Sequence, residues 1–543
     1  METPFIPKQV TLPTDYRLDP RTFFDFRDLF ACEVRILVVT DSPAGGFGTV
    51  AGLHLGQVLQ VLRDDPWSHA RFEIVKAHRQ GTSEANVLDN FRFDRHDLSR
   101  YDQVWLFGIE REAGADPLGE EELRSLAEFM DGGGGVFATG DHSDLGNAMS
   151  ARVPRVRSMR RWYARQGPNG EPPAPPALGP DRHDTLVDPD GPGSIPRGRR
   201  QNQSDKVPQT IRPRYYSQTS RRGLYKRVTT YPHPVLCGPD GVITHFPDHM
   251  HEGYCEVPSD LSRSVAFAGY EGVEYPSRDG HQEVPEVIAW STSHETNDTT
   301  FGALAAYDGH EVGVGRVLVD ASWHHWVNTN LVGFLAATDP ENPDQDPSVV
   351  PKWEAMKAYF RNVALWLARP KTQDCIRRGG WLILTRHYDI LITYKDLDSV
   401  RNRLDYFLQL GTVARDALGR LASRCQRTIW FRDPLGWLEV YDPWKRIPMP
   451  DPPPYLDSLY FDAEQLELLA AGGAVHHLIA RAGNSIKGGQ PTLQALMKAT
   501  GSKHIDAAVQ RGAAEAVAVW IEEMREATHH LELMAERAAK YRK

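Results

Sequence analysis

At 543 residues the chain exceeds one ordinary domain, so two or three units are expected. Its 62 basic and 72 acidic residues leave a net charge of −10, a balance ordinary for a soluble protein, and no run of about 18 apolar residues predicts a membrane span. The opening Met1–Pro7 lacks the basic start and apolar core of a secretory leader, and the five cysteines (Cys32, Cys237, Cys255, Cys375, Cys425) show no CxxC spacing. An odd, scattered set argues against a disulfide framework and a cysteine-built zinc site, so a reducing cytoplasm is the expected home.

Residues 1–30 read as an arm laid over a domain. The β-branched run Val34–Thr40 predicts a strand buried on both faces. It leads into Asp41-Ser42-Pro43-Ala44-Gly45-Gly46-Phe47-Gly48, which lacks any phosphate-loop fingerprint and is expected to be a mobile strand-to-helix loop. Leu55, Val58, Leu59 and Leu62 have helical spacing, and further strands are predicted over 71–77 and 103–107. Asp116-Pro117 predicts a helix N-cap followed by proline at the first helical position. The stripe Leu123, Leu126, Ala127, Met130 then runs to a glycine turn, Gly132–Gly135, and a strand, Val136–Thr139. This β-α-β-β-α-β order predicts an α/β fold with a doubly wound sheet.

Residues 151–230 break the pattern. They hold seventeen Lys/Arg against six Asp/Glu, so the segment carries +11 and the remainder −21. Dense proline and glycine predict a long basic insertion with little regular structure. The sheet is expected to resume at His233–Leu236, followed by a hairpin strand over 241–246 and strands over 285–290 and 315–320. A helix over 351–367 closes the unit. Segment 371–455 reads as mixed, with a strand-like stretch at Trp381 and a proline-rich linker at 448–454. Beyond it 456–543 is helical, and Ala513, Val517, Trp520, Met524, Ala527, Leu531, Met534 and Ala538 form a 4-3-4-3 seam. That seam packs either within a bundle or against another subunit, as a homo-oligomer contact.

Three clusters have the composition of a metal or acid–base site: Asp141, His142 and Asp144; Asp248, His249, His251 and Glu252, with His245 just before; and His324-His325. The first and third lie just past predicted strand ends, where α/β sheets bind ligands. Imidazole with carboxylate suits a divalent ion such as zinc, manganese or iron. The candidate metal ligands are His142, His249, His251 and His324. Without metal, His142 or His324 serves as general base, oriented by Asp141. Asp144, Asp205, Asp248, Glu252 and His325 are candidates for substrate contact. Each histidine has an alternative role as a hydrogen-bonded structural residue. The basic segment reads as an arm docked on the acidic body or bridging subunits. A lid offering arginine to an anionic or sugar substrate is the alternative, and nucleic acid is the least expected partner.

The order of these elements resembles the class I glutamine amidotransferase-like superfamily, a flavodoxin-like fold, and within it the trehalose-utilisation (ThuA-like) branch. The likeness rests on Val34–Thr40, Leu123–Gly135, Val136–Thr139, His233-Pro234-Val235 and Gly315-Arg316-Val317, and covers roughly residues 30–370. An amidotransferase places a cysteine nucleophile in Gly-x-Cys-x-Gly after the strand. Here the chain reads Gly140-Asp141-His142-Ser143-Asp144, so glutaminase activity is not expected. The ThuA-like branch also lacks that cysteine and carries a histidine, to which His142 corresponds. The resemblance implies an enzyme of polar, carbohydrate-derived small molecules, acting by hydrolysis or by isomerisation or elimination. The rival expectation is a non-catalytic binding or assembly protein on the same fold.

Overall fold

In a computed structural model, residues 32–42, 45–49, 52–64, 70–110, 117–140, 146–161, 209–222, 225–238, 241–247, 254–293, 299–331, 350–385, 388–421, 463–484 and 502–541 are described. The chain is mixed α/β, built on one large sheet whose central part is parallel. Strands β1 (Cys32–Thr40), β2 (Ala70–His78), β3 (Val87–Leu88), β4 (Gln103–Phe107) and β5 (Gly135–Thr139) alternate with helices α1 (Gly56–Arg63) and α2 (Glu120–Asp131). The remaining strands of this sheet are β6 (Arg160–Arg161), β7 (Arg212–Pro213), β8 (Tyr254–Cys255), β9 (Glu286–Ser293), β10 (Thr299–Tyr307) and β11 (Val317–Asp320). The order across the sheet is β3-β2-β1-β4-β5-β11-β10-β8-β6, with β9 and β7 branching from β10. From β3 to β11 every pairing is parallel, and those beyond are antiparallel.

The apolar run of β1 sorts by pleat. Val34, Ile36 and Val38 join the core on one face, Leu37 and Val39 the core on the other. Val58, Leu59 and Leu62 of α1 cover the first face, together with Trp353, Met356, Tyr359 and Phe360 of α3 (Val350–Leu367). Leu123, Leu126 and Met130 of α2 cover the second. The glycine run before β5 is needed where the chain turns: Gly133 has φ +84°, and Gly135 lies directly against the Leu367 carbonyl, leaving no room for a side chain.

Several local expectations need correction. The second helix starts at Glu120, not after Asp116-Pro117, because Glu122 reaches back to accept the Gly119 amide at 3.2 Å. Among the described residues of the insertion, expected to hold little regular structure, Tyr215–Arg222 and Tyr225–Pro232 form an antiparallel hairpin in full register. Pro234–Leu236 is a 3-10 turn rather than a strand, since Pro234 has no amide to give a ladder. Within 241–246 only His245–Phe246 is strand, paired with Gln209–Thr210. Trp381 lies in helix α4 (Pro370–Leu384), not a strand; a short apolar run reads alike in either setting. The nine-residue β10, at the heart of the antiparallel half, is absent from the sequence reading because its Gly302 and alanines dilute the strand pattern.

Helices α5 (Arg403–Leu421), α6 (Ala463–Asn484) and α7 (Ser502–Tyr541) pack closely through glycine. Gly411 abuts the Leu468 carbonyl, Gly472 that of Phe407, and Gly473 and Gly512 abut each other's carbonyls. The apolar cluster runs without a break from β1 through α3 and α4 to Trp520 of α7. The expectation against a disulfide framework is also corrected. Cys32 at the start of β1 is disulfide-bonded to Cys375 of α4, with Cα atoms 5.9 Å apart, and Cys237 is disulfide-bonded too. Cys255 is a buried free thiol. Residues 343 positions apart in sequence meet only in the fold, so spacing could not reveal the pair. No described helix is long and apolar enough to cross a membrane. The arm 1–30 and the linker 448–454 lie outside the described residues.

Candidate functional site at the carboxyl edge of the sheet

Four parallel strands end level with one another. Thr40 of β1 pairs with Phe107 of β4, Phe107 with Thr139 of β5, and Thr139 with Asp320 of β11. The loops that follow therefore emerge along one edge. Thr40 Oγ1 and Thr139 Oγ1 are buried there without a hydrogen-bond partner.

At β1, Asp41 is buried. Its Oδ1 accepts the Ile109 amide at 2.7 Å and its carboxylate the Glu110 amide at 3.3 Å, so it bridges the ends of β1 and β4. Burial pushes this carboxyl up to about 7, because the two amides and nearby Arg79 offset only part of the lost hydration, and Glu110 adds repulsion. Around it, Gln80 Nε2 donates to the Asp41 carbonyl at 3.1 Å, and His78 Nε2 lies 2.8 Å from the Ser42 carbonyl. Glu84 accepts the Phe47 amide at 3.0 Å. His54 Nδ1 is buried without a hydrogen-bond partner, and a Cβ on Gly46 would stand 2.8 Å from it, so the glycine lets the loop lie against this ring.

At β11 the chain turns through a 3-10 segment, Trp323–His325, started by Ser322 Oγ accepting the His324 amide at 3.0 Å. The two adjacent histidines go to different places. His324 Nδ1 lies 2.9 Å from Asn330 Oδ1, with its ring stacked on Trp323 at 4.0 Å. That contact puts the proton on Nδ1 and leaves Nε2 as the basic nitrogen. His325 is wholly buried, Nδ1 2.7 Å from Asp320 Oδ1 and ring 4.7 Å from Phe246; its Nε2 has no hydrogen-bond partner. Asp320 also accepts from Trp326 Nε1 and Tyr359 O–H, each at 2.9 Å, and from the Ser322 amide at 3.1 Å. Burial and the Asp320 charge hold the Tyr359 phenol well above its usual range.

The loops after β1 and β11 are stitched together by Asn328. It gives its amide to the His54 carbonyl at 2.8 Å and its Nδ2 to Gly48, and takes the Gln57 amide on Oδ1, both at 2.9 Å. Within the loop expected to be mobile, 41–48, Gly48 is thus tied to Asn328, and the Gly46 carbonyl accepts the Leu55 amide at 2.9 Å. Trp323 donates to the Gly140 carbonyl at 3.0 Å, so the segment carrying His324 touches the residue that precedes Asp141.

Of the sequence candidates, His324 and His325 are placed in this way. Asp141, His142, Asp144, Asp205, Asp248, His249, His251 and Glu252 lie outside the described residues. Among the described residues no three His, Cys, Asp or Glu side chains are grouped to hold a metal ion. Sequence reasoning missed Asp41, Asp320 and Asn328. A polar residue directly after a buried strand was the available signal for the first, and a strand's last residue for the second.

The start of the basic segment is docked on carboxylates. Glu274, buried, accepts the Arg155 amide and Ser158 Oγ at 2.8 Å and Arg157 Nη2 at 2.9 Å, while Arg155 Nη2 reaches Asp131 at 2.6 Å. No protein-family model, curated protein or solved structure matches the chain.

Proposed function

We propose that the chain is an enzyme of a polar, carbohydrate-derived small molecule, working by acid–base chemistry in the crevice between β1 and β4. The fold in this reading is the doubly wound, flavodoxin-like sheet of the ThuA-like branch, and glutaminase chemistry is not part of it. From β1 the chain steps to β2 on one side, and β4 lies on the other; open α/β sheets take ligands at such a switch point, outside the carboxyl ends. The observation that carries the reading is Asp41, a buried carboxylate bridging the two strand ends. A carboxyl half-protonated near neutrality can both give and take a proton at one carbon or oxygen of a sugar. His324, held through Nδ1 by Asn330, supplies a second base on the same edge. Hydrolysis and isomerisation or elimination both need this pair of functions.

The metal-assisted version draws on His142, His249, His251 and His324 for zinc, manganese or iron, of which His324 alone is described. Metal content of protein purified without added metal, compared with His142→Ala and His249→Ala, tests that version separately.

The test of the main reading is turnover of a panel of disaccharides and their keto derivatives, followed by mass spectrometry. Turnover of one class, reduced about a hundredfold or more by Asp41→Asn, is expected. An unreactive panel in which no member raises the melting temperature would overturn the reading, as would undiminished turnover by Asp41→Asn.

A further inference from the structure

The last helix changes character at its midpoint. Ala513, Val517 and Trp520 are buried against the neighbouring helices. From Ile521 to Tyr541 the same helix stands exposed, with Met524 alone half-covered, and Leu531 and Met534 are each 65% exposed. Yet the 4-3-4-3 seam continues unbroken through Met524, Ala527, Leu531, Met534 and Ala538. A bare seam of this kind is stable only against another helix.

We infer that the bare half of α7 pairs with the same segment of a second copy, antiparallel and about a two-fold axis near Thr528–His530. Two properties of the sequence choose this partner and polarity. The first is volume. Antiparallel pairing stacks Met524 on the partner's Met534 and Ala527 on the partner's Leu531, each layer occurring twice by symmetry. Large faces small, or medium faces medium, throughout. A parallel pair in register would leave Ala527 and Ala538 in all-alanine layers, which cannot fill the seam.

The second is charge. Flanking the seam on one side are Glu523, His530 and Arg537. The antiparallel axis sets Glu523 beside the partner's Arg537, twice, with His530 near the axis. A parallel pair brings Glu523 beside Thr528 and His530 beside Ala535, with no charge matched. On the other flank Ile521, Thr528 and Ala535 carry no charge to oppose association, while Glu522, Arg525, Glu526, Glu532 and Glu536 face away. The two-fold axis makes the contact isologous, so it closes at a dimer. The overlap, from Glu523 to Arg537, spans roughly 21 Å of helix.

Sedimentation equilibrium of the full chain across a dilution series tests the pairing, and it is independent of any catalytic reading. A dimer is expected. Glu523→Arg should weaken it about tenfold, by turning two attractive contacts into two repulsive ones, and Glu523→Arg with Arg537→Glu should restore it. Spin labels attached through Lys540→Cys should lie about 30 Å or more apart in the antiparallel dimer, against about 10 Å in a parallel one. A wild-type chain that stays monomeric at about 100 μM overturns the proposal. So does a dimer with closely spaced labels, or one that Glu523→Arg leaves unchanged and the double variant does not improve.

Discussion

Asp41 Oδ1 accepts the Ile109 amide at 2.7 Å, so a buried carboxylate at the end of β1 pins the backbone that leaves β4. This contact gives the carboxyl edge a fixed geometry at the place where strands diverge. It also concentrates an ionisable group where water has little access, and that has measurable consequences.

The folded-state pKa of Asp41 stands at about 7 against an ordinary 3.8. The folded protein therefore holds a proton that the unfolded chain has released over this interval. Stability from this group is fully present below about pH 4 and falls as pH rises through 7, by at most ~1.4 kcal/mol per pH unit. Asp41→Asn removes the titration. Urea unfolding from pH 4.5 to 7.5 should show the wild type losing stability more steeply than the variant; parallel profiles would refute the assignment.

Glu274 ties Arg155, Arg157 and Ser158 to the body through one buried carboxylate. Glu274→Ala leaves buried guanidinium charge uncompensated and should cost about 3–5 kcal/mol. Limited proteolysis should then cut near 151–161 before the rest of the sheet opens. A variant with wild-type stability and cleavage pattern would mean that this anchor is dispensable.

The Cys32–Cys375 bond closes a loop of more than three hundred residues between β1 and α4. Breaking it by Cys375→Ser should lower stability by about 2–5 kcal/mol. Mass mapping of unreduced peptides gives the direct check: a peptide pair joining Cys32 to Cys375 is expected, and two free thiols at these positions would contradict the structure.

Gly473 and Gly512 let α6 and α7 touch through their backbones. Gly473→Val has no flexible neighbour to displace, so the helices must separate, at a cost of about 1–3 kcal/mol or more. Calorimetry should report a lower melting temperature. An unchanged value would show that the two helices tolerate a wider spacing.

Much of the parallel half was legible in the sequence. Ile36–Thr40, Gln103–Phe107 and Val136–Thr139 are largely apolar runs buried on both faces, and such runs announce themselves without knowledge of their neighbours. Helices α2 and α3 were legible for a related reason, since each carries a stripe at helical spacing. The antiparallel half was not: β10 is rich in small residues, and its identity as a strand comes from its partners β9 and β11. Trp381 was misread because burial on all sides erases periodicity.

The sequence by itself determined the alternating α/β order, the two-faced burial of the central strands and the seam of the last helix, because all three are periodic signals carried by contiguous residues. Which side chains meet was decided by tertiary structure alone. Asp41 reaches Ile109 because β1 and β4 end level, and Asn328 reaches Gly48 and His54 because the loop after β11 folds back over α1. Cys32 finds Cys375 because α4 packs on the start of β1. These contacts depend on strand order and register, which hydrogen bonds between distant segments set and no local pattern encodes.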